Sequence, residues 1–124
     1  MTADLVAFLR EQLDAEEQEA RDTAAEWGTA WTVNEEMATV QSNTGADVVA
    51  EDAPLQYIAR HDPARALPEI DAKREVVRLA ERAYDYHETF MNGFAAAIEG
   101  ALRLFAQAYV HHPDYRPEWA PDAR

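Results

Sequence analysis

The sequence predicts an α+β fold: an N-terminal amphipathic helix, a three-stranded antiparallel meander, a short helix, then two longer helices and an extended Pro-rich tail. Three observations carry this expectation. Apolar residues recur at helical spacing from Leu5 onward and again from Ile70 to Tyr109. Between them, residues 28–50 alternate short β-branched runs with turn formers. Prolines stand where helices would begin or stop. The 124 residues suit one domain, 1–124, organised as an acidic part (1–62), a helical part (63–112) and a tail (113–124).

The first helix is expected from about Asp4 to Ala25. At about 100° per residue, Leu5, Val6, Leu9, Leu13, Ala20, Ala24 and Trp27 share one side, and Asp4, Glu11, Asp14, Glu19, Asp22 and Glu26 the other. Glu16 falls on the apolar stripe, where a carboxylate needs a partner, an edge or a function. Thr29–Val33, Met37–Gln41 and Asp47–Ala50 read as strands, turning at Asn34-Glu35-Glu36 and Asn43-Thr44-Gly45. Trp27, Trp31 and Val33 share a parity that would set one sheet face against the first helix, with Trp27 in the core.

Asp52-Ala53-Pro54 and Asp62-Pro63 both look like helix starts, an Asp N-cap followed by a Pro tolerated in the first turn. The first helix so opened is short, ending near His61; the second runs toward Met91, with an irregularity expected at Pro68. Its apolar side is wide, and Ile70, Val77, Tyr84 and Met91 recur at sevens. Asn92-Gly93 is the expected break before a last helix from Phe94 to about His111, whose polar strip is only Glu99, Arg103 and Gln107. A helix so apolar should be buried. One small domain offers too little cover for it, so a homodimer built on the last two helices is expected. The candidate interface residues are Tyr84, Phe90, Met91, Phe94, Ile98, Leu102, Phe105 and Tyr109, with Trp31 and Trp119 as aromatic anchors. Pro113, Pro117 and Pro121 make the tail extended, held by Tyr115 and Trp119.

Composition narrows the chemistry. With 24 Asp+Glu against 11 Lys+Arg the net charge is −13, which opposes direct contact with nucleic-acid phosphates or anionic membranes. The charge is uneven, since residues 1–62 hold 14 acids and 3 bases while 63–124 hold 10 and 8. No cysteine is present, so disulfides, thiolate nucleophiles and Cys-ligated zinc are absent. Leu5–Leu9 lacks a basic leader and 94–110 contains Glu99 and Arg103, so neither a signal peptide nor a bilayer span is expected, and the location read by default is cytoplasmic.

No catalytic residue is nominated. Ser42 is the only serine and has no glycine-flanked elbow, and the four glycines do not cluster into a phosphate-cradling loop. His111, His112 and Asp114 are weak metal candidates, because neighbouring helical residues point about 100° apart and helix-end histidines suit the C-terminal dipole. Glu16, Glu17 and Glu19 spread around their helix rather than converging on a hard cation. No cofactor is expected.

Several segments are similar to a known family. Leu5-Val6-Ala7-Phe8-Leu9, Glu17-Gln18-Glu19-Ala20-Arg21, Ile58-Ala59-Arg60-His61-Asp62-Pro63-Ala64-Arg65 and His112-Pro113-Asp114-Tyr115-Arg116-Pro117-Glu118-Trp119 carry the likeness. Together with Ala72-Lys73-Arg74 and Leu102-Arg103-Leu104, they resemble a family of small actinobacterial and actinophage proteins of unknown function, domain of unknown function 6221. The chain departs from it at Ala25-Glu26-Trp27, where members often show Gly-Pro-Trp, and in lacking the cysteines of some longer members. The resemblance implies an actinobacterial, prophage or phage origin and supplies no activity. The resulting expectation is a non-enzymatic, dimeric accessory protein that binds another protein. The alternatives are an acidic decoy mimicking nucleic acid, and a small metal-dependent hydrolase using His111, His112 and Asp114 or Glu16.

Overall fold

A computed structural model describes residues 2–50, 53–85 and 92–121. In chain order these form α1 (Thr2–Trp27), β1 (Trp31–Asn34), β2 (Thr39–Ser42), β3 (Asp47–Ala50), α2 (Leu55–Arg60), α3 (Pro63–Asp85) and α4 (Asn92–Ala106). Single 3-10 turns follow at Gln107–Tyr109 and Pro117–Trp119. The α+β expectation holds. The packing divides into two compact units: one holds the chain up to Asp14 and from Ala72 onward, the other Ala15–Asp71.

In the unit of Ala15–Asp71, α1 stops at Gly28, whose φ of +81° is a helix-ending conformation that only glycine adopts without strain. Its N–H still reaches the Ala24 carbonyl at 2.9 Å. The meander β1-β2-β3 is antiparallel throughout, with Trp31 opposite Ser42 and Val40 opposite Val49. An irregularity at Val40/Gln41 shifts the β2–β3 register, so Gln41 faces Asp47. The first turn is held by the Met37 N–H donating to Asn34 Oδ1, the second by Gly45 at φ +90°. Val40 is fully buried on the central strand.

The helix packed most on β1 and β2 is α2, not α1 as the parity of Trp27, Trp31 and Val33 suggested. Trp27 is correspondingly not core but 37% exposed. It is the last residue of α1, where the chain turns away at Gly28, and Trp31 covers the backbone there instead of the ring: its indole N–H donates to the Trp27 and Gly28 carbonyls.

Asp62 caps α3 as its sequence implies. Oδ1 accepts the Arg65 N–H at 3.0 Å, while Oδ2 accepts the Trp31 N–H at 3.0 Å. The Ala64 N–H adds a bond to the Thr29 carbonyl, so the start of α3 is fastened to the entry of β1. α2, by contrast, starts later than expected, with Pro54 as its N-cap and no side-chain cap; Asp52 lies outside the described residues. α3 continues through Pro68.

In the other unit, Leu5, Val6, Phe8, Leu9 and Leu13 of α1 are buried, as are Val77 and Ala80 of α3, Leu102 and Ala106 of α4, and Trp119. Burying each large aliphatic side chain contributes about 1.5–3 kcal/mol. The tail is held by aromatic contacts. Trp119 lies on Phe8 (centroids 4.9 Å) and meets Tyr115 edge-on at 5.8 Å. The tail is extended at Arg116 and Ala120, with the 3-10 turn Pro117–Trp119 between them. Arg116 also crosses to Asp4 at 2.9 Å, and the Arg103 guanidinium donates to the Ala120 carbonyl at 3.4 Å.

Candidate functional site

α4 decides what this second unit can present. Its sequence, NGFAAAIEGALRLFA, is rich in residues that favour helix or pack closely. It begins at Asn92, so Asn92-Gly93, the expected break, lies in the first turn of the helix and not before it; Phe90 and Met91 lie outside the described residues. Leu102 (0% exposed) and Ala106 face the interior. Phe105 and Tyr109 border them, half-buried: the Lys73 ammonium stands 5.8 Å over the Phe105 ring, and Tyr109 meets Phe8 edge-on. Glu99 and Arg103 form the polar strip.

The remaining arc is apolar and open. Phe94 is 43% exposed and Leu104 53%, with exposed Ala97 and half-buried Ala101 between them. These four lie within about 80° of helix circumference at 100° per residue. Exposed Ala108 extends the stripe into the following turn. A Cβ added at Gly93 or Gly100 would meet nothing within 4 Å. The chain's own core therefore uses only one side of α4, and the single chain leaves this arc uncovered.

The candidate interface residues separate accordingly. Phe94 is available and Ile98, Phe105 and Tyr109 partly so; Leu102 and Trp119 are taken up by the interior. Trp31 is half-buried in the other unit, with its indole N–H satisfied by backbone. Tyr84 belongs to α3, but its side chain, like Phe90 and Met91, lies outside the described residues. Leu104 and Ala97 were not among the candidates, although the same helical period that marked Phe94 points to them.

Among the described residues, no cluster of metal-binding side chains forms. The His112 Nδ1 accepts the Asp114 N–H at 3.0 Å and its Nε2 lies 3.5 Å from the Gln12 amide, while the ring packs edge-on to Phe8. His111 and Asp114 are exposed, and no group of three metal-binding side chains occurs among the described residues. Glu16 is half-buried and engaged within the chain. Along α1 the acidic row is broken by basic partners, with Asp4 bound to Arg116, Asp14 to Arg74 and Glu17 to Arg21. Among the described residues no helix is long and apolar enough to cross a membrane.

No curated protein and no solved structure matches the chain. A family model does, along residues 2–121, which include α1, the meander, the helices and the aromatic tail. The chain belongs to this family of unknown function, DUF6221.

Proposed function

We propose that the protein is a non-enzymatic, dimeric interaction module whose two copies meet along the open arc of α4, leaving the acidic surfaces outward for a protein partner. The exposed, uncharged stripe Phe94–Ala97–Ala101–Leu104–Ala108 carries this reading. Two chains of charge −13 repel each other wherever their acidic surfaces face, so an uncharged strip is where they can approach.

The order of sizes along the stripe favours a second copy as the occupant. Read in reverse about Ala101, Phe94 comes opposite Ala108, Phe105 opposite Ala97 and Leu104 opposite Ile98. Both phenylalanines then meet an alanine in a two-fold antiparallel pairing, and Leu104 meets the aliphatic Ile98, a self-complementarity of the kind an isologous interface requires. Open space over Gly93 and Gly100 permits close approach of the two helices. The family likeness adds support for an actinobacterial or phage source, and a cytoplasmic location follows from the same reading.

Light scattering coupled to size exclusion tests this directly. The intact chain should run at twice 14.0 kDa, and Leu104→Glu at 14.0 kDa with unchanged helical circular dichroism. A monomeric wild-type chain, or a Leu104→Glu variant that remains dimeric, would overturn the proposal.

A further inference from the structure

Three of the chain's eleven basic residues surround one small cleft. A cavity of about 110 Å³ is lined by Arg10 and Leu13 of α1 and by Arg74, Val77 and Arg78 of α3. No carboxylate lines it, although acids outnumber bases 24 to 11 in the sequence. Its apolar lining belongs to the core, since Leu13 and Val77 are buried. Arg74 and Arg78, four apart, project from the same side of α3, and Arg10 comes from α1. The cleft lies wholly within the unit formed by the chain up to Asp14 and from Ala72 onward.

We propose that this cleft binds a small tetrahedral oxyanion: inorganic phosphate, or the phosphoryl group of a phosphomonoester. Each guanidinium already has a carboxylate neighbour, Arg10 with Glu81, Arg74 with Asp14 at 2.8 Å and Arg78 with Glu75. Those carboxylates stand outside the cavity lining, and the pairs of Arg10 and Arg78, arginines about half exposed, contribute little to stability. Arg10 uses one Nη2 contact and Arg78 one Nη1 contact, whereas a guanidinium carries five N–H donors in a rigid fork. Donors therefore remain on both to meet a ligand. A tetrahedral oxyanion, with three or four acceptor oxygens pointing in different directions, can engage guanidinium groups arriving from two helices at once. The volume matches: it holds a few waters at about 30 Å³ each, or one such ion.

Isothermal titration of the full chain with inorganic phosphate, replacing chloride at constant ionic strength, tests the site. Saturable binding of one phosphate per chain is expected, weakened about tenfold or more in Arg10→Gln and in Arg78→Gln, as loss of a charge-assisted hydrogen bond requires. Arg82→Gln, on α3 but outside the cleft lining, should bind as the wild type does. Glycerol phosphate forms the second arm: binding as tight as phosphate assigns the site to the head group of a larger ligand, and weaker binding assigns it to the free ion. Absence of saturable binding, or equal affinity in the Arg10→Gln and Arg78→Gln variants, would refute the site. The dimer is not a premise, since Leu104→Glu should retain full phosphate affinity.

Discussion

Asp62 shows how much one side chain can organise. Its two carboxylate oxygens accept N–H groups from Arg65 and Trp31, one beginning a helix and the other a strand. Replacing it with alanine removes a cap and leaves the half-buried Trp31 N–H without its acceptor. Asp62→Ala should lose about 2 kcal/mol in urea denaturation, with Asp62→Asn retaining most of that. Gly28 is a second such position. A Cβ there would stand 2.6 Å from Asn43 Oδ1 and 2.8 Å from Ser42 Oγ, on a backbone at φ +81°. Gly28→Ala should therefore cost at least about 1 kcal/mol, measured the same way, although alanine is the better helix former elsewhere.

At the scale of an element, α4 places two leucines, two residues apart, in opposite circumstances. Leu102 is fully buried and Leu104 mostly exposed. Leu102→Ala should destabilise the chain by about 2–5 kcal/mol through lost burial and a cavity. Leu104→Ala should change monomer stability by less than about 0.5 kcal/mol while weakening self-association. Equal losses from both would mean that the two sides of the helix are not distinct. The sequence made α4 legible as a helix because its apolar residues repeat at the right period. It left open which arc faces inward, since nearly every arc is apolar and only the tertiary partners (Phe8, Lys73 and the tail) choose one. The meander was legible for the converse reason: Asn34 and Gly45 specify turns locally. Trp27 misled because helical period places a residue on a face but not on whether anything covers the helix end. The three-arginine cleft was invisible in sequence, as Arg10 lies far along the chain from Arg74 and Arg78 and only the pairing of α1 with α3 joins them.

For the whole molecule, the decisive property is that a chain of net charge −13 carries an uncharged, open stripe along α4. Self-association through that stripe has a short-range attractive part, apolar burial, that salt hardly weakens, and a long-range repulsive part that salt screens. The Debye length falls from about 30 Å at 0.01 M salt to about 8 Å at 0.15 M. Acidic groups on two paired copies lie within reach of one another at the first value and are largely hidden from each other at the second. Raising sodium chloride across this range should therefore tighten the dimer several-fold in sedimentation equilibrium. An association built on interchain ion pairs would respond in the opposite sense, because screening would remove its attraction. If salt dissociates the dimer, the acidic first half must itself be pairing with basic residues of the second copy, and the uncharged arc of α4 is not the seam. If salt tightens it and Leu104→Glu abolishes it, burial along α4 supplies the attraction and the net charge only sets how strongly two copies must attract to meet.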